Sequence, residues 1–138
     1  MTQATFTQNP GELEVRITGH AGYAPGGKDI VCAACSTLAW AFLRLFCRLE
    51  EAGGCALRVR AYRPGEVRFA ARAAPGREGE FDRLAGGMAE GFAALAEQYP
   101  GFCRVERAPA KREEAPGGQK DGVRTHKTEN TRGPRAIE

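Results

Sequence analysis

A histidine and a cysteine flank a glycine-rich stretch in Gly19-His20-Ala21-Gly22-Tyr23-Ala24-Pro25-Gly26-Gly27-Lys28-Asp29-Ile30-Val31-Cys32-Ala33-Ala34-Cys35-Ser36. His20 falls at the tip of an expected strand, and Cys32 in the first turn of an expected helix. A helix N-terminus stabilises negative charge, and an imidazole can take or hold a thiol proton. The pair can therefore form a nucleophilic dyad: Cys32 attacks a carbonyl, and His20 holds the proton and returns it to a leaving amine. First-turn amides could bind the oxyanion. The loop between the two residues is long enough to fold back on itself. A buried thiol and an unrelated surface histidine give the same residue types, and spacing alone shows no contact.

Two other chemistries compete for the same segment. Cys32-Ala33-Ala34-Cys35 is a C-x-x-C at a helix start, which suits a redox dithiol. A thioredoxin-type site, however, wants a strand running directly into the motif within a βαβ unit. Here a glycine loop intervenes and no parallel crossover is evident, so Cys35 reads as a helix-packing residue. Zinc would need a second ligand pair at suitable spacing, which is missing. Gly22 to Asp29 nearly spells G-x-x-x-x-G-K-[ST], but Asp29 replaces the magnesium-binding hydroxyl and its charge repels phosphate. The glycines suit a flexible lid over residues 21–28 better. His126 stands among polar residues far from this segment and reads as an exposed bystander.

The flanking sequence supplies the elements that must position these groups. Residues 2–8 suit a short strand, followed by turn chemistry in Asn9-Pro10-Gly11. Leu13, Val15 and Ile17 alternate with polar residues, the period of a half-buried strand that ends at His20. Asp29 is a good N-cap for a helix running to about Glu51. That helix carries one apolar stripe through Leu38, Phe42, Leu45, Phe46 and Leu49, and a second through Trp40, Leu43 and Cys47. So apolar a helix must cover a sheet and also meet another helix or subunit.

Leu57, Val59 and Ala61 alternate with Arg58, Arg60 and Tyr62, and Val67, Phe69 and Ala71 continue the pattern after the hairpin turn Arg63-Pro64-Gly65-Glu66. A second helix is expected from about Gly79 to Tyr99, with the stripe Phe81, Leu84, Met88, Phe92, Leu95 and Tyr99. Gly86, Gly87 and Gly91 lower its propensity by up to about 1 kcal/mol each and suit close packing instead. Phe102 to Arg107 makes a last strand. The order β-β-α-β-β-α-β gives an α+β domain over 1–108, with two helices on one face of a small, mostly antiparallel sheet.

Residues 109–138 lack apolar periodicity and read as a disordered polar tail. The net charge is +3, of which this tail carries +2, so the body is not an obvious nucleic-acid binder. The N-terminus has no signal-peptide pattern, and the apolar run from Leu38 to Phe46 is interrupted by Arg44 and too short to span a bilayer. The expected location is the cytoplasm. Five cysteines, an odd number, argue against a secreted disulfide framework, and Cys47, Cys55 and Cys103 read as small buried side chains.

The joined motif Gly19-His20-Ala21, glycine loop, Asp29-Ile30-Val31-Cys32-Ala33-Ala34 and Ser36 resembles the signature of the ribosomal-processing cysteine proteases, the Prp family. The resemblance extends in element order over about residues 2–107. It implies a small cytoplasmic endopeptidase, commonly a homodimer, needing no metal or cofactor. Its substrate would be the precursor of large-subunit ribosomal protein L-twenty-seven, from which it removes an N-terminal extension. No membrane and no direct nucleic-acid contact are required. The family's catalytic pair falls on His20 and Cys32. Gly19 belongs to the motif, Asp29 would cap and orient the site, and Ser36 would support it. Cys35 departs from the family pattern, which has a small apolar residue there, and the tail is longer than the family needs. Two other functions stand beside this one: a non-catalytic ribosome-associated assembly factor, and a thiol redox protein using Cys32 and Cys35.

Overall fold

The computed structural model describes residues 1–110. Strand β1 (Thr2–Asn9) turns into β2 (Glu12–Thr18), and helix α1 (Ile30–Glu51) follows a loop. Strands β3 (Cys55–Arg63) and β4 (Glu66–Ala73) form the second hairpin, then come helix α2 (Glu78–Gln98) and strand β5 (Cys103–Ala108). The expected order and class are observed, with element ends within a residue or two of the sequence reading. The tail expected over 109–138 lies, from residue 111 onward, outside the described residues, as does His126.

The sheet runs β3-β4-β2-β1-β5, antiparallel except where β5 lies parallel to β1. Strand directions follow from these pairings: β2 is parallel to β3, and β4 is parallel to β5. Both helices are therefore crossovers between parallel strands that are not neighbours. The expectation that no parallel crossover is present is corrected on this point. Local alternation reports hairpins, whereas the direction in which a distant strand enters the sheet is set by tertiary packing.

One sheet face is apolar and covered by the helices. Phe6 pairs with Val15, Val15 with Phe69 and Phe69 with Val59, which sets a row of large side chains across four strands. Phe92 of α2 meets Phe6, and Phe46 of α1 sits between Phe69 and Phe81 at 5.6 Å from each ring centroid. The opposite face is open and polar, with Glu14, Arg16, Arg58, Arg72 and Arg104 in solvent.

Helix α1 buries Val31, Cys35, Ala39, Leu43, Phe46 and Leu49. This line takes members from both expected stripes. Leu38 and Phe42 instead face α2, where Gly91 and Gly87 make room for them: a Cβ at those glycines would stand 3.2 Å from Leu38 Cδ2 and 3.4 Å from Phe42 Cε1. The glycines are thus sites of close helix approach. Length and apolarity alone would let α1 cross a membrane; here Leu43 and Phe46 are buried in the core, and Leu38 and Phe42 pack against α2.

A bulge between Val59 and Ala61 changes the face presented by β3. One extra residue reverses the alternation that follows. Tyr62 accordingly pairs with Val67 and lies on the helix side, its ring 5.3 Å from Trp40 of α1, rather than on the wet face that simple alternation assigns it.

Phe46 is fully buried. Replacing it with alanine should cost about 3–5 kcal/mol by lost burial and an unfilled cavity. Urea unfolding is expected to show a lower midpoint with an unchanged slope. A loss under about 1 kcal/mol would mean that the core collapses around the gap.

Candidate active site

Strand β2 ends at Thr18, and Gly19 turns the chain with a φ of +89°. A side chain at Gly19 would place its Cβ 2.5 Å from the Met1 carbonyl oxygen, so only glycine fits this approach. His20 follows, exposed at the strand tip. The next residue, Ala21, is buried and donates its backbone N–H to the Cys32 sulfur at 3.2 Å. This bond brings the histidine end of the motif onto the first turn of α1.

Asp29 caps that helix from an extended conformation. Its Oδ1 accepts the Cys32 N–H at 2.9 Å, and its Oδ2 accepts the N–H groups of Tyr23 at 2.8 Å and Ala24 at 3.3 Å. These bonds, that from Cys32 first, hold the carboxyl below its ordinary value. The expected cap is present, and it also ties down the glycine loop. The amides a phosphate would need are taken up by this carboxylate, which accounts physically for the near-match to a phosphate-binding loop. The Cys32 N–H is likewise committed, so this first-turn amide does not serve as the expected oxyanion donor.

The loop has a second anchor. The Tyr23 ring packs edge-on against Tyr99 and Phe102, with centroids 5.7 and 5.1 Å away. Pro25 to Lys28 form a turn closed by the Lys28 N–H on the Pro25 carbonyl, with Pro25, Gly26, Gly27 and Lys28 exposed.

Gly19, His20, Cys32 and Ser36 line one open cleft of about 360 Å³. Asp29 acts on it from behind, through the Cys32 amide. The far wall is the β3–β4 turn, Tyr62 to Val67, which the sequence reading placed as a hairpin but not at the site. The signal for it lies in register: Thr18 pairs with Glu66, which sets the end of β2 beside that turn.

The two cysteines of the C-x-x-C differ in surroundings. Both line the cleft, but Cys32 is half-buried whereas Cys35 is buried, beside Thr2 and Cys103. Burial, with the neighbouring Cys103 adding to it, pushes the Cys35 thiol up to about 12. Such a thiol is a poor redox partner at neutral pH. Cys55 is pushed up to about 12 as well, mainly by burial, and burial also raises Cys103. None of the five cysteines is in a disulfide.

The family model for cysteine protease Prp matches residues 1–104. The chain belongs to the Prp family. It is a cysteine protease by family, and so a hydrolase. Among solved structures, it is similar to the essential ribosomal processing protease Prp from S. aureus in complex with a covalently linked product peptide. That likeness has a TM-score of 0.62 at 21% identity and covers 78% of this chain and 99% of that one. The same S. aureus protease with a substrate peptide gives a TM-score of 0.58 at 20% identity, covering 78% and 99%. SMU.848 from Streptococcus mutans gives 0.59 at 30% identity, covering 80% and 96%. No curated protein matches the chain. The Prp fold thus accounts for the sheet, both helices and the loop between β2 and α1.

The Asp29 bonds carry a pH dependence. Because its carboxyl titrates below the unfolded value, its contribution is full above the usual carboxylate range and is lost as pH falls through the folded value. The melting-temperature gap between wild type and Asp29→Ala should therefore be widest above about pH 5 and close on acidification. A gap that stays constant down to pH 2 would show that Asp29 adds no such linkage.

Proposed function

We propose that the protein is a cysteine endopeptidase in which Cys32 is the nucleophile and His20 the proton carrier, acting on the N-terminal extension of the L-twenty-seven precursor. The observation that carries this reading is the Ala21 N–H bond to the Cys32 sulfur, with His20 next in the chain and lining the same cleft. An N–H donor aimed at sulfur favours the thiolate.

The Cys32 proton passes to His20, and the sulfur attacks the scissile carbonyl carbon. As the tetrahedral species collapses, the C–N bond breaks and His20 gives that proton to the leaving amine. His20 then takes a proton from water, whose oxygen attacks the thioester. The acid product leaves and Cys32 regains its proton. Ser36 and Gly19 support the cleft walls, and Asp29 orients the helix start. The exposed 25–28 turn is the part of the loop suited to move for substrate entry. The product and substrate peptides bound in the two S. aureus structures support a ribosomal precursor here. The reaction belongs in the cytoplasm, where that precursor is made.

Incubation of the purified protein with its own organism's L-twenty-seven precursor, read by intact mass, tests this. Wild type and Cys35→Ala should both shorten the precursor, and Cys32→Ala should not. His20→Ala should slow cleavage by about 10²–10⁴-fold. Cleavage lost in Cys35→Ala would favour the dithiol chemistry. Precursor bound but intact with wild type would favour an assembly factor.

The homodimer is part of the same proposal. Ile30, Trp40 and Leu45 of α1 are each exposed by more than two-fifths, apolar surface that a second copy could cover. Sedimentation should give twice the chain mass, and Leu45→Glu should weaken the association. A monomer at assay concentration would overturn this part.

A further inference from the structure

The β3–β4 turn walls the cleft, and at Gly65 it meets the end of β2. The Gly19 N–H donates to the Gly65 carbonyl at 2.9 Å, which fixes the backbone beside His20. The imidazole then lies directly over Gly65. A Cβ at Gly65 would fall 2.9 Å from His20 Nε2, 3.3 Å from Cε1 and 3.7 Å from Cδ2. The first of these is closer than carbon and nitrogen normally approach without a bond, so a side chain there and this ring position exclude each other.

Gly65 has its own backbone reason for being glycine, with a φ of +78° after Pro64. The two reasons are separable. Asparagine adopts positive φ far more readily than alanine, but both bring a Cβ. Gly76 has a φ of +82° and open space where its Cβ would be, so it carries the strain without the contact.

We infer that Gly65 is a positioning residue for His20: its bare backbone is the seat that holds the imidazole at the cleft. The ring is the mobile end of an exposed side chain, whereas the turn is part of a paired hairpin. A Cβ therefore moves the ring and leaves the sheet in place. This inference rests on the proposed role of His20 only for its effect on chemistry; the seat itself is a geometric claim about the ring.

The chain has two histidines, so the His20 ring signals are assigned by their loss in His20→Ala. In the wild type, NMR should show a nuclear Overhauser contact between a His20 ring proton and the Gly65 Hα protons. In Gly65→Ala and Gly65→Asn the ring signals should move, and in Gly76→Ala they should stay. Alkylation of Cys32 by iodoacetamide at neutral pH should slow in both Gly65 variants, and adding Gly65→Ala to His20→Ala should slow it no further. Absence of the wild-type contact, or unchanged ring signals in both Gly65 variants, would overturn the seat. If His20→Ala alkylates at the wild-type rate while the ring signals move in the Gly65 variants, the dyad falls and the seat stands.

Discussion

The carboxylate of Asp29 accepts hydrogen bonds from two stretches of chain, the start of α1 and the glycine loop. Its Oδ1 satisfies the Cys32 N–H, one of the donors a helix start leaves without an intrahelical partner, and its Oδ2 gathers the Tyr23 and Ala24 amides from the glycine loop. A loop with Gly22, Gly26 and Gly27 has a large conformational entropy to lose. Pinning it at Tyr23 and Ala24 shortens the free part to a single exposed turn. It also brings Ala21, just before the pinned residues, to the sulfur of Cys32. Without the carboxylate, the Ala21 bond to the Cys32 sulfur and the packing of Tyr23 on Tyr99 and Phe102 would be left to hold the loop.

That arrangement needs α1 to be a fixed object, and the packing of α1 explains its composition. The sheet takes one side, through Leu43 and Phe46, and α2 takes the adjoining side, through Leu38 and Phe42. The second contact is close only because α2 offers Gly87 and Gly91 there. Each glycine weakens α2 by up to about 1 kcal/mol against alanine. The compensation is close packing for two large, partly buried side chains of the helix that bears Cys32. Helix propensity is thus given up in α2 where it makes α1 rigid.

Much of this was legible residue by residue. Asp29 announces the helix start by type, and the alternation of Leu13, Val15 and Ile17 puts His20 at a strand tip. The joined motif then ties both to one family. What stayed hidden depends on long-range placement. The inward turn of Tyr62 follows from a bulge at Arg60 that no local pattern marks. The parallel relation of β2 to β3 follows from β4 lying between them. Gly65 is the clearest case: Pro64-Gly65 reads as a turn anywhere, and only the pairing of Thr18 with Glu66 sets that turn against His20. The two stripes assigned to α1 failed for a similar reason, since a helix apolar nearly all round does not say which side faces the sheet.

The same logic separates the two thiols of the C-x-x-C. Residues three apart on a helix share a face only approximately, and here the difference decides their chemistry. Cys35 points into the core, where burial raises its thiol to about 12 and leaves it protonated at neutral pH. Cys32 is one turn nearer the helix start, beside an amide donor and open to the cleft. The sequence reading takes Cys32 as the candidate nucleophile and Cys35 as a packing residue, and the fold gives the two thiols different exposure. The exposure of each thiol is therefore a property of position on the helix, set by where the sheet lies, rather than of the motif that contains both.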